Sequence, residues 1–295
     1  MKRKERTKKN GRFSTAASVI LVITGIALIL YPTVANFINE STNGSVIDEY
    51  RKQVELTGAD EYEKILGDVR EYNEELARLT PYISDLTKEA RERYEELLNP
   101  TGSGIMGYIE IPKADVYLAI YHGTEESVLQ TGVGHLEGSS LPAKGESVHT
   151  VLTGHSGLPS ARLFTDIDRL KRGDTFTLHV LNEELTYEVD EIKRVEPDTL
   201  EDLHIDEGKE LCTLVTCTPY GVNTHRLAVT GHRTDTPNTP NEEDRSIDAI
   251  TSSKWNRIYV FLPPVIFALI VAAVISIRKI LKHKHKGRRL HRGKR

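Results

Sequence analysis

The stretch LCTLVTCTPYGVNTHRLAVT, Leu211 to Thr230, reads as two short strands around a turn. Leu211 to Cys217 is apolar and β-branched, Thr218-Pro219-Tyr220-Gly221 is turn chemistry, and Thr224 to Thr230 alternates polar and apolar residues. Folded back as an antiparallel hairpin, the second arm brings Arg226 within a couple of residues of Cys217 on the facing strand. Cys212 and Cys217, the two cysteines of the chain, lie five residues apart. At about 3.3 Å per residue that is about 17 Å, with the thiols on opposite faces, which is too far for a disulfide. Cys212, close to Leu211 and Leu214, reads as a small core hydrophobe. Cys217 ends its strand, where a side chain is presented to solvent or substrate.

Runs of the same texture extend N-terminally from this hairpin: Met106 to Ile111, Val116 to Tyr121, Ser147 to Thr153, Thr175 to Leu181 and Leu185 to Val195. Short apolar segments punctuated by Gly, Pro and Asn predict an all-β barrel or sandwich over residues 104–234. Before it, Tyr62, Ile65, Leu66, Val69, Tyr72, Leu76 and Leu79 recur at spacings of three and four, and so do Ile83, Leu86, Ala90, Tyr94 and Leu97. That period predicts two or three helices with acidic outer faces over residues 45–103, broken at Thr80-Pro81. Residues 235–253 are a polar, Pro-containing linker.

The chain has 295 residues and a formal charge of −4, but the charges are segregated. Residues 1–31 carry seven Lys/Arg and one acid, residues 278–295 carry ten Lys/Arg and no acid, and the middle is strongly acidic. Between these regions lie two uncharged apolar stretches, residues 14–31 and 258–277. Twenty residues at 1.5 Å each reach about 30 Å, the thickness of a bilayer core, so both are expected to span a membrane. Positive charge stays on the cytoplasmic side, which places residues 1–13 and the 278–295 tail inside, against lipid headgroups, and the acidic middle outside. Thr33-Val34-Ala35 offers a competing signal-peptidase site, but the apolar run exceeds a usual signal core and reads as an uncleaved anchor. The acidic outer part excludes a nucleic-acid partner.

Free thiols are unusual outside a cell, so at least one is expected to be reactive. A cysteine nucleophile needs a proton carrier, and the outer part offers His122, His135, His149, His155, His179, His204, His225 and His232. His155, in Thr153-Gly154-His155-Ser156-Gly157, follows a strand and is flanked by glycines, a loop-exposed placement like that of Cys217. No HExxH, Cys/His cluster or carboxylate cage points to a metal, and no glycine-rich phosphate loop points to a nucleotide, so no cofactor is expected.

Thr213-Leu214-Val215-Thr216-Cys217 resembles the TLxTC signature of sortases, with Arg226 at the family's nine-residue spacing. MGYIEIPK (106–113), IYHGT (120–124), GVGHLEGSSLP (132–142) and LTGHSGLPSARLFTDID (152–168) resemble class C, pilus-building sortases, and the likeness is dense over 104–234. The resemblance implies a closed β-barrel transpeptidase on the outer face of a Gram-positive membrane. It implies Cys217 as the nucleophile on the Thr-Gly bond of an LPXTG-like sorting signal and His155 as acid and then base. Arg226 would position the substrate and hold the oxyanion, and the acceptor would be a lysine amine of another pilin. Class C enzymes carry an Asp-Pro-aromatic lid before the barrel. The corresponding place here is Asp85-Leu86-Thr87, without the proline or the aromatic, and Tyr82 stands nearby as a substitute. Anchoring of surface proteins to cell-wall peptide is the alternative within the family. A bitopic adhesion or sensory protein is the alternative outside it.

Overall fold

The structure is a computed structural model that describes residues 2–79, 87–197 and 203–235. The linker, the second apolar stretch and the basic tail lie outside the described residues, as do Tyr82 and Asp85. The barrel lies in a compact unit that spans residues 35–240, and the first 34 residues fall in a separate unit.

Three helices precede the barrel: α1 (Lys2–Leu56), α2 (Ala59–Leu79) and α3 (Lys88–Glu96). α1 is longer than the expected apolar segment, because it runs on through Pro32 into the region expected to begin a separate helix at residue 45. Within it, Ile20–Leu56 contains a stretch long and apolar enough to cross a membrane. Leu21, Leu28 and Ile29 there are more than 70% exposed, apolar surface left uncovered among the described residues. The C-terminal part of α1 is held by polar contacts. Asn43 Nδ2 donates to Thr131 O at 2.8 Å, and Asn43 Oδ1 accepts from Ala119 N at 3.2 Å. Tyr50 Oη donates to Met106 O at 2.9 Å and accepts from Leu181 N at 2.8 Å.

α2 buries the stripe its period predicts, Tyr62, Leu66, Val69, Tyr72 and Leu76. Buried Asn73 exchanges two hydrogen bonds with the Leu141 backbone, at 2.9 and 2.8 Å. α3 is capped at its start by Thr87, whose hydroxyl accepts from Ala90 N. It buries Tyr94, whose hydroxyl accepts from Gly123 N and contacts His135 Nδ1.

Eight strands close into a barrel: β1 (Ile105–Ile111), β2 (Val116–His122), β3 (Val133–His135), β4 (Val148–Thr153), β5 (Thr175–Val180), β6 (Glu183–Val195), β7 (Glu210–Thr218) and β8 (His225–Arg233). A four-residue helix, α4 (Glu126–Leu129), sits in the β2–β3 crossover. The order around the barrel is β1-β2-β3-β4-β7-β8-β6-β5, with β4 parallel to β7 and β8 antiparallel to it. Alternation sorts each strand into two faces. On β7, Cys212 and Leu214 point into the core with Leu152, Phe176, Leu178 and Val229. Val215 faces outward and packs with Val151, Leu203 and Leu136 in a small second apolar cluster.

Candidate active site

The β7–β8 register places Cys217 directly opposite Arg226 and Thr218 opposite His225. Directly opposed residues share a face with Cβ atoms about 5 Å apart, so Arg226 stands beside the thiol while His225 turns away. His225 contacts Thr224 Oγ1 at 2.9 Å and Glu196 at 3.5 Å. Arg226 donates to its neighbour's carbonyl, His225 O, at 3.3 Å, and has no carboxylate at ion-pair distance among the described residues. A guanidinium with free donors beside a thiol is suited to an incoming carbonyl oxygen or carboxylate.

On the other side of β7, β4 runs parallel, with Thr153 opposite Val215. The chain keeps to that line after the strand ends. Gly154 N donates to Val215 O at 3.1 Å, and Thr216 Oγ1 donates to Gly154 O at 2.7 Å. Continued by two residues, this register would set His155 level with Cys217. Gly154 permits the path, since a Cβ there would meet the Phe164 ring at 2.7 Å. Phe164 N in turn donates to His155 O at 3.0 Å. The His155 Nε2 atom is shielded from solvent, makes no hydrogen bond, and lies 3.4 Å from Glu126 Oε2. Beyond Cys217 the peptide bond to Pro219 is cis, and the turn holds Tyr220 and Val222 exposed beside the site.

The other histidines are engaged elsewhere. His135 is fully buried between Tyr94 and Ser140 O, and burial pushes its pKa down to about 4. His149 Nδ1 donates to His204 O at 2.6 Å and its Nε2 meets Thr213 Oγ1 at 2.7 Å. His122 rests against the carbonyls of Gly104 and Leu97, and His179 stacks on Tyr108 at 4.3 Å. His204 and His232 pair with Asp206 and Asp190. Both cysteines are free, Cys212 buried and Cys217 partly exposed. Burial, followed by the Glu210 carboxylate, drives the Cys212 thiol well above its ordinary range.

A sortase-domain family profile matches residues 109–234. Sortase C1 of Streptococcus agalactiae superposes with a TM-score of 0.63 at 50% identity, covering 65% of this chain and 99% of that one. The chain belongs to the sortase family. Sortase C of Clostridium perfringens, solved with a C-terminal cell wall sorting motif, is 41% identical with a TM-score of 0.57, over 65% of this chain and 98% of that one. Sortase A of Bacillus anthracis is 32% identical over 127 residues, 43% of this chain, and this chain spans 59% of its length. Sortases are cysteine transpeptidases. Of the residues expected from the sequence, Cys217 and Arg226 face each other at the end of β7, and His155 follows the end of β4, the strand parallel to β7 on its other side. Of the three lid residues, Asp85 and Tyr82 lie outside the described residues. Thr87 is spent on capping α3. Glu126 is a site residue that the sequence does not reveal: it reaches His155 from the β2–β3 crossover, and nothing in its local sequence distinguishes it from other surface carboxylates.

Proposed function

We propose that this chain is a membrane-anchored pilin polymerase. It cleaves an LPXTG-like sorting signal between Thr and Gly and joins the threonine to a lysine amine of another pilin. The Cys217 sulfur attacks the threonine carbonyl carbon, and Arg226 holds the oxyanion that forms. The C–N bond to glycine breaks as His155 passes a proton to the leaving amine, which leaves a thioester on Cys217. An incoming lysine amine attacks the thioester, gives a proton back through His155, and releases the Cys217 thiol with an isopeptide bond formed. Two apolar spans, residues 14–31 and 258–277, hold the acidic catalytic part outside and both basic termini in the cytoplasm.

The observation that carries this reading is the Cys217–Arg226 cross-strand pair, with His155 following β4 on the opposite flank. Similarity to sortase C proteins supports the pilin class, and similarity to sortase A supports the alternative of anchoring to cell-wall peptide. The test uses the full chain in detergent with an LPXTG-tailed pilin and two competing acceptors, a second pilin and a cell-wall stem peptide. Pilus polymerisation gives a denaturant-resistant ladder that disappears when the acceptor lysine is replaced. Product on the stem peptide without a ladder would establish wall anchoring instead.

A further inference from the structure

The carboxylate beside His155 is held from behind. Gln130, one turn on from Glu126, donates its Nε2 to Glu126 Oε1 at 2.8 Å, which leaves Oε2 directed at His155 Nε2, 3.4 Å away. That hydrogen bond keeps the Glu126 carboxyl below its ordinary range, so it is an anion at neutral pH. The His155 Nε2 atom is covered, and Glu126 is the one charged group at ion-pair distance from it among the described residues. Cys217 of β7 and Arg226 of β8 stand on the same side of the barrel. A covered ring nitrogen with a single anchored anion near it has one favourable arrangement: the proton sits on Nε2, and Nδ1 is left for the reaction.

We propose that Glu126, braced by Gln130, is a positioning residue for His155. It selects the tautomer with the proton on Nε2, fixes the ring so that Nδ1 serves Cys217 and the substrate amine, and steadies the imidazolium that forms during turnover. The inference rests on the assignment of His155 as the proton carrier. The 3.4 Å separation is ion-pair contact, and it closes to a hydrogen bond as positive charge builds on the ring; such bonds are commonly long before substrate arrives. Glu126 is 67% exposed in its side chain, so solvent screens the pair and its effect is modest.

The test uses the full chain in detergent, labelled with ¹⁵N at histidine, in four forms: parent, Glu126→Ala, Glu126→Gln and His155→Ala. The last assigns the His155 signals. In Glu126→Ala, kcat is expected to fall about three- to fivefold with KM nearly unchanged, as befits the loss of an exposed pair. The His155 nitrogen shifts should move from a single Nε2–H tautomer toward a mixture. Glu126→Gln keeps an acceptor oxygen and should restore the tautomer and part of kcat. Melting temperatures of both variants should match the parent. Parental kcat and unchanged nitrogen shifts in Glu126→Ala would overturn the proposal. A fall in kcat that follows a lower melting temperature, with the tautomer unmoved, would overturn it too, because that is the mark of a structural role. If His155→Ala is inactive while Glu126→Ala is parental, only this inference fails. If His155→Ala keeps parental turnover, the assignment of His155 fails and the inference falls with it.

Discussion

Strand β7 carries one thiol on each face, and the two have opposite properties. Cys212 points into the barrel, fully buried, its ionisation suppressed by burial. Cys217, five residues on, faces outward beside Arg226 at the strand's end. Residue type is the same and sequence context is similar, so the difference comes from the pleat and from where the strand stops. A barrel thus separates stability from chemistry across the thickness of one strand. Inward residues answer to packing, and outward residues at the strand ends answer to whatever approaches.

The largest effects that sharpen this contrast lie on the outer face. His155→Ala should lower transpeptidation about 10²- to 10⁴-fold, and Arg226→Ala about 10²- to 10³-fold, in steady-state assays with an LPXTG peptide. Arg226→Lys should fail as well, because an ammonium lacks the planar fork. His225→Ala, one residue away but turned to the other face, should stay near parental. A dead His225→Ala with an active Arg226→Ala would break the register on which the contrast rests.

Next comes reactivity. A bulky thiol reagent should modify Cys217 in the native protein and leave Cys212 untouched until the chain is unfolded, read by mass spectrometry of the digested product. Equal labelling of both would erase the distinction between the faces.

Interior groups should show up in stability rather than rate. Fully buried His135 has a folded pKa of about 4 against an ordinary 6.5, so its neutral form is favoured by folding. Above pH 6.5 both folded and unfolded states hold it neutral and its contribution is complete. As pH falls from 6.5 toward 4 the unfolded chain takes up the proton first, and stability declines by up to about 3 kcal/mol. Thermal melts across that window should show the loss, and His135→Asn or His135→Gln should flatten it.

The smallest effect concerns the segment before the barrel. Thr87→Ala should cost about 1 kcal/mol through the lost cap and leave Cys217 labelling unchanged. Asp85→Ala should accelerate labelling less than tenfold, since an ion pair of a lid carboxylate with Arg226 at a solvent-facing site would be worth at most about 1 kcal/mol. A thiol protected until Asp85 is removed would show a strong lid and would bring Tyr82 forward as its aromatic.

Seven strands and the cross-strand approach of Arg226 to Cys217 were legible in the sequence, because alternation and turn residues carry that information locally. Strand β3 was not. Three residues, Val133–His135, between Gly132 and a turn leave no period to read, and their pairing with β2 and β4 is a tertiary event. The length of α1 was hidden for a related reason. Asn39, Thr42, Asn43 and Gly44 are weak helix formers, and the helix continues through them because Asn39 and Asn43 find acceptors on the barrel at Thr131. The partner of His155 was illegible, since a single glutamate 29 positions earlier becomes its neighbour only through the β2–β3 crossover.

The central claim is that the outward thiol at the end of β7 is the nucleophile. Intact-mass spectrometry of the full chain, trapped with an LPXTG-containing peptide, tests it directly on the parent, Cys217→Ala and Cys212→Ala. An acyl adduct of the peptide cleaved after threonine should appear on the parent and on Cys212→Ala, and should be absent from Cys217→Ala. An adduct that persists in Cys217→Ala, or vanishes from a folded Cys212→Ala, would contradict the account.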